Sequence, residues 1–251
     1  MKNYLDFTGK RAIVTGGRRG LGRAMALALA ECGCSVAVVS HSKEAPELLE
    51  ELNAWGGKCF YFSADLGNRT ERRGLAAKMA EALGGLDILI NNAGMQFSES
   101  VETCTEEQWD ASRSLMLDAV YDLSHQAVPL LKASGGGKII NIASICAFRE
   151  GGFNFSYGVM KTGVMGMTRC MANALARNNI NVNAIAPGII HTDLTEKCFE
   201  PQRYQAIIGK YPAHRLGEPE EIAKVALFLA SDMSSFVNGV TIPVDGGFTG
   251  N

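Results

Sequence analysis

Three side chains in the middle of the chain could together move a proton onto a carbonyl oxygen: Ser144, Tyr157 and Lys161. Tyr157 and Lys161 are four residues apart, the spacing that puts two side chains on one face of a helix. A phenol ordinarily ionises near pH ~10, too high to trade protons at neutral pH. A neighbouring ammonium favours the phenolate and lowers that value. A serine hydroxyl brought in from the end of a preceding strand could donate to the same small polar group. Such a trio could polarise a carbonyl and protonate its oxygen. Tyr-x-x-x-Lys recurs by chance on many helices, so the chemistry depends on the elements around it.

Those elements begin near the start of the chain. Residues 11–15 (RAIVT) are a short apolar run that stops at glycine, the pattern of a buried strand. The stretch TGGRRGLG (15–22) follows, then an Ala- and Leu-rich helix over 23–32 and a second strand over 35–39. A strand–turn–helix–strand unit predicts a parallel sheet with a crossover helix. In the turn, Gly16 permits the bend, Gly20 lets backbone approach a diphosphate, and Gly22 lets helix pack on strand, so that the helix N-terminus faces the phosphates. The spacing is Gly-x-x-x-Gly-x-Gly, not the more common dinucleotide Gly-x-Gly-x-x-Gly.

The end of the second strand bears on the cofactor. An acid there would accept from an NAD ribose, whereas basic groups suit the 2′-phosphate of NADP. The chain reads Ser40, His41, Ser42, Lys43, with no acid, and Arg18 and Arg19 lie in the glycine loop. Arg19, Ser40, His41, Ser42 and Lys43 could hold a phosphate, although Arg18 and Lys43 read equally as solvated side chains. NADP(H) is therefore expected in preference, with NAD(H) possible. After a polar helix (44–55) and a third strand (58–63) comes Asp65, which could accept from an adenine amino group, cap the helix expected over 68–83, or do both.

The strand–helix rhythm continues. A fourth strand (86–90) runs into Asn91-Asn92-Ala93-Gly94, small residues that leave room for a ligand. TEEQ from Thr105 is a capping sequence for a long helix through 131. A fifth strand starts at 138–141 and ends at Ser144. The helix after Tyr157 carries Met160, Val164, Met167 and Met171, an apolar stripe that reads as core or subunit interface. A sixth strand (181–185) precedes PGIIHT at 187–192. From 191 to 216 the alternation is lost, and this segment beside the expected crevice is a candidate lid. A last helix (219–230) and strand (240–244) complete an α/β fold. The expectation is one domain over 1–251, a doubly wound parallel sheet of about seven strands with helices on both faces.

Composition excludes some classes. The 251 residues carry a net charge of −2, which gives no general attraction to nucleic acid. No apolar run approaches the ~18–20 residues of a membrane span, and residues 1–10 hold no signal-peptide core. Seven scattered cysteines, an odd number, predict reduced thiols in a cytoplasm. Cys32 and Cys34, the closest pair, do not make a zinc knuckle, and no metal is expected.

Taken together, TGGRRGLG, Asp65, NNAG, Ser144, Tyr157 with Lys161, PGIIHT and FVNGVTIPVDGG (236–247) resemble the short-chain dehydrogenase/reductase family over nearly the whole chain. The likeness extends to its 3-oxoacyl thioester reductases and sugar-acid ketoreductases. The resemblance implies a single Rossmann-like domain and an NADP-dependent oxidoreductase, a dimer or tetramer, acting on a small carbonyl or alcohol. It implies that Tyr157 is the general acid/base, that Lys161 lowers its pKa and bonds the nicotinamide ribose, and that Ser144 holds the substrate oxygen. It implies cofactor contacts at Asn91, Gly94, Ile190 and Thr192, and extends them to Leu21, Leu66, Ala93, Pro187 and Gly188. Gln96, Arg149, Phe153 and His191 are expected to shape the substrate pocket, the first two suiting a polar or anionic substrate. One position departs from the family: seven residues past Trp109, where an asparagine is usual, stands Met116. A thioether is a weak acceptor, so the family's proton relay to lysine is in question here. That departure keeps open an alternative, an NADP(H)-binding sensor or scaffold with weak catalysis.

Overall fold

Apolar runs such as RAIVT and SVAVV are continuous, as strands buried on both faces require. The computed structural model describes residues 3–149, 153–193, 195 and 200–250, with 201–203 described by backbone alone. Outside the described residues lie Leu194 and 196–199 of the expected lid, Cys198 among them, and residues 1–2 of the opening segment. The strands are β1 (Arg11–Thr15), β2 (Ser35–Ser40), β3 (Phe60–Ser63), β4 (Ile88–Asn91), β5 (Gly137–Ile142), β6 (Ile180–Pro187) and β7 (Thr241–Val244). They form one parallel sheet in the order β3-β2-β1-β4-β5-β6-β7. The order reverses between β1 and β4, where a crevice opens at the strands' carboxyl ends.

Alternate strand residues enter different cores. Ala12 and Val14 of β1 join one core with Met25 and Leu29 of α1 (Gly20–Glu31), Leu48 and Leu52 of α2 (Pro46–Asn53) and buried residues near the C-terminus. Ile13 faces the other side, toward a second core. That core includes Met79 of α4 (Leu75–Leu83), which follows the short α3 (Arg69–Arg72). Full burial of each such aliphatic side chain contributes roughly 1.5–3 kcal/mol, so this two-sided packing is what fixes the sheet.

Two expected helices are divided. The one over 68–83 breaks into α3 and α4 because Gly74 turns left-handed (φ 72°). Asn68, not Asp65, caps it: its Oδ1 accepts from Thr70 N at 2.9 Å, while Asp65 Oδ1 accepts from Gly67 N at 2.8 Å. The helix expected through 131 starts with the anticipated capping box, Thr105 and Gln108 exchanging bonds. It then divides into α5 (Glu106–Arg113), a π-helical turn (Ser114–Asp118) and α6 (Ala119–Ala133). After it come α7 (Phe155–Leu175), α8 (Pro201–Ile208) and α9 (Pro219–Ala230). α8 lies inside the segment expected to lack regular structure. α9 packs on the same core as α1 through Ile222, Ala226 and Leu229.

Candidate active site

Tyr157 and Lys161 share a face of α7, with Lys161 Nζ 5.5 Å from the centre of the tyrosine ring. Lys161 is buried and its ammonium donates to the Ile142 carbonyl at the end of β5, at 2.6 Å. Burial is the main force on its proton and pulls the pKa from 10.5 to about 8, with Cys146 acting weakly the other way. Ser144 stands two residues past β5 at the head of a 3₁₀ turn (Ile145–Ala147), where its Oγ accepts from Cys146 N at 3.1 Å. Accepting there leaves the serine's own proton able to donate, although Ser144 is buried and is not among the residues that line the cavity at Tyr157 and Lys161.

Tyr157 and Lys161 open onto a cavity of about 750 Å³ at the carboxyl ends of β1 and β4. One wall is the glycine turn. Gly16 has φ 64°, and a β-carbon there would lie 2.9 Å from Ala93 Cα; one on Gly22 would lie 2.4 Å from Gly16 O. Side chains are thus excluded where backbone must come close. α1 begins at Gly20 with no side-chain cap from Arg19 and no acid in its first turn. Its unsatisfied N–H groups and positive dipole end therefore face the cavity, a site suited to a diphosphate. These features fit the shape and charge of a dinucleotide.

Of the expected cofactor residues, Gly16, Arg18, Arg19, Gly20 and Leu21 line this cavity from the glycine turn. Ser40, His41 and Ser42 line it beyond β2, and Asp65 with Leu66 beyond β3. Ala93, Gly94 and Thr192 complete the set. Arg19 reaches Asp193 across the opening at 3.6 Å, both side chains exposed.

Others lie elsewhere. Asn91 does not turn its side chain to the cavity: its Nδ2 donates to Ser124 Oγ and Asn141 Oδ1 inside the core, at 3.0 and 2.9 Å. The residue facing the cavity is Asn92, whose Nδ2 bonds Thr15 O at 2.9 Å and whose backbone N bonds Thr15 Oγ1 at 2.8 Å. Strand alternation decides between these neighbours, one turned down into the sheet and the next outward. Ile190 is buried in the core. Pro187 and Gly188 sit where β6 meets β7, Gly188 N bonding Val244 O at 2.9 Å, and neither lines the cavity. Gln96, Arg149, Phe153 and His191 are all exposed and outside its lining; His191 Nδ1 faces Glu218 Oε2 at 3.6 Å.

Met116 is fully buried in the π-helical turn. Ser114 and Leu115, its neighbours in that turn, line the cavity. The turn is held by Arg72, a fully buried side chain that the sequence analysis does not single out. Its guanidinium bonds Asp122 Oδ2 at 2.9 Å, Leu66 O at 2.6 Å and Ser114 O at 3.2 Å, tying one wall of the cavity to another.

Residues 16–249 match a family model described as enoyl-(acyl carrier protein) reductase. The chain is 40% identical over 248 residues to a 2-dehydro-3-deoxy-D-gluconate 5-dehydrogenase of Dickeya dadantii, covering 98% of each protein. It is 37% identical to the 3-oxoacyl-(acyl-carrier-protein) reductase FabG of Thermotoga maritima, over 95% of this chain and 97% of that one. Its fold superposes with a TM-score of 0.94 on a gluconate 5-dehydrogenase from Burkholderia cenocepacia solved in complex with NADP and tartrate, at 31% identity, covering 99% of this chain and 98% of that one.

Proposed function

The chain belongs to the short-chain dehydrogenase/reductase family, and we propose that it transfers a hydride between NADP(H) and a carbonyl or secondary alcohol at a site formed by Ser144, Tyr157 and Lys161. It is an oxidoreductase, as its named relatives are. The observation that carries the site is the stacking of the Lys161 ammonium near the Tyr157 ring, at 5.5 Å, on the wall of the dinucleotide-sized cavity.

NADP(H), when bound, gives or takes the hydride; the protein's residues manage the proton and the geometry. The α1 N-terminus and the glycine turn receive the diphosphate. Arg18, Arg19, Ser40, His41 and Ser42 hold the 2′-phosphate, a role supported by their position on the cavity and by the absence of an acid at the end of β2. Ser144 donates to the substrate oxygen, Tyr157 gives it a proton in reduction and takes one in oxidation, and the Lys161 charge favours the phenolate. Below pH ~8 that lysine is charged, since burial brings its pKa to about 8.

The substrate in this reading is a polar ketone or alcohol of the sugar-acid kind. One feature favours that over a 3-oxoacyl thioester: the greater identity to the sugar-acid dehydrogenase. The segment 191–216 serves as a lid, supported by Thr192 and Asp193 on the cavity wall. A homo-oligomer is supported by exposed Tyr121 on α6 and Val159 on α7, apolar groups that a second copy would cover. The sensor or scaffold alternative is not favoured, because the relatives are named dehydrogenases and reductases. The test is NADPH absorbance with a panel of sugar-acid ketones and 3-oxoacyl thioesters. Turnover in the first group is expected, turnover only in the second would reassign the substrate, and none in either would overturn the reading.

A further inference from the structure

A helix needs partners for its first N–H groups, and α7 brings none of its own. Asn154 at its N-cap makes no capping bond, and there is no acid in the first turn. The Asn154 amide is engaged elsewhere, its oxygen accepting from Gln96 Nε2 at 3.1 Å. The missing cap comes from fifty-seven residues earlier. Glu99 Oε1 accepts from Ser156 N at 2.8 Å and from Ser156 Oγ at 2.5 Å, and the Glu99 carbonyl accepts from Phe155 N at 3.1 Å. Glu99 is only 4% exposed, and its second carboxylate oxygen, Oε2, is buried without a hydrogen-bond partner. Ser156 Oγ, giving its proton to Glu99, can accept from Ser112 Oγ at 2.9 Å, which extends the chain of bonds to α5. On the outer side, Phe155 stacks on Trp109 of α5 with ring centres 5.8 Å apart.

A half-satisfied buried carboxyl is costly and would be selected against in a purely structural cap, where a serine or asparagine would serve. What it holds is the first turn of α7, and the residue after Ser156 is Tyr157. We propose that Glu99 is a positioning residue: through Ser156 it sets the start of α7 so that the Tyr157 hydroxyl stands in register with Lys161 one turn on. This rests on the Ser144–Tyr157–Lys161 reading of the site. It also makes the strand-like link Glu99↔Asn154 the connection between the loop after β4 and the proton donor.

The test uses Glu99→Gln, which retains an oxygen for the Ser156 groups, and Glu99→Ala, which does not. The readout is the phenolate absorbance of Tyr157, isolated by subtracting the same variant carrying Tyr157→Phe, with NADP⁺ present. The expected result is a higher Tyr157 titration midpoint in Glu99→Ala than in Glu99→Gln, because the phenol no longer sits as well beside the ammonium. Turnover of NADP⁺ with 2-dehydro-3-deoxy-D-gluconate should fall about 10- to 100-fold in kcat for Glu99→Ala, the scale set by misplacement of a reacting group by ~1 Å, with NADP⁺ affinity kept and Glu99→Gln largely restored. If both variants titrate alike and lose only thermal stability, Glu99 is a structural cap and the inference is overturned. If Glu99→Ala does not fold, Ser156→Ala replaces it against wild type: a raised midpoint supports the inference and an unchanged one overturns it. Full turnover by Tyr157→Phe, by contrast, would sink the proposed reaction itself, whichever way Glu99 reads.

Discussion

Met116 Sδ and Lys161 Nζ each lie 3.7 Å from the point where a β-carbon on Gly94 would be. A buried thioether thus borders Gly94 together with the buried ammonium, at the helix position where the resemblance implies an amide. The Lys161 ammonium donates to the Ile142 carbonyl at 2.6 Å.

Replacing that sulfur tests its role. Met116→Asn inserts a polar group into a fully buried site. It should destabilise the fold by about 2–5 kcal/mol, the range for losing a large buried side chain. Its kcat should be equal to wild type or higher, most visibly below pH ~7, where Lys161 is charged. Met116→Leu keeps the apolar volume and should change little. Thermal melts and kcat measured on the same samples decide it. A well-folded asparagine variant that binds NADPH yet loses most turnover would make Met116 part of this enzyme's own machinery.

Removing one oxygen from Tyr157 should have a kinetic effect alone. Tyr157→Phe keeps the ring against Lys161 and deletes the hydroxyl proposed to give the proton. A loss of about 10²–10⁴-fold in kcat is expected, the usual worth of general acid–base catalysis. NADPH affinity, measured by fluorescence titration, should stay as it was.

Ser40 is the last residue of β2 and lies on the cavity wall. Ser40→Asp would set a carboxylate against the 2′-phosphate. The ratio of kcat/KM for NADPH over NADH should drop at least about tenfold, since like charges brought together cost several kcal/mol. A wild type that prefers NADH, or a ratio that the substitution leaves alone, would refute the assignment.

The lysine itself carries a signature in stability. Its pKa is about 8 in the folded protein against 10.5 when free, so between those values the unfolded chain binds more protons than the native one. Below about pH 8 both states are charged and the burial penalty is present in full. Wild-type stability should therefore gain from this group as pH rises from about 8 toward 10.5. Lys161→Met has no such dependence. The difference in Tm, Lys161→Met minus wild type, should shrink steadily across that interval in the cofactor-free protein; a constant difference would mean the ammonium is not desolvated.

Much of this was legible from residue order. β1 and α9 fall where RAIVT and the Pro219 start imply, because a glycine ends one and a proline opens the other. The pairing of Tyr157 with Lys161 followed from helical spacing alone. What escaped reading depends on contacts distant in sequence. Asn91 and Asn92 are the same residue type, and only the sheet's pleat says which one faces the ligand. Arg72 looks like a surface cation until Asp122, fifty residues on, comes to meet it. The π-helical turn at 114–118 has no sequence signal in SLMLD, and its partners, Arg72 and α7, are distant in sequence. Glu99 belongs to the same class, a cap whose helix begins far downstream.

The parallel sheet also has a consequence for how the polypeptide comes to life on the ribosome. No adjacent strands are joined by a hairpin, and β1 must wait for β4 to fill its second side. Thr15 meets the backbone of Asn92 across 77 residues, so the nucleotide cradle has no completed wall until more than a third of the chain has emerged. Until then, β1 exposes an apolar edge. Closing long loops before their contacts form slows folding and lengthens that exposure. Nascent chains stalled before Asn92 should therefore recruit holding chaperones, and retention of dinucleotide should wait until the later cavity wall at Tyr157, Lys161 and Thr192 has emerged.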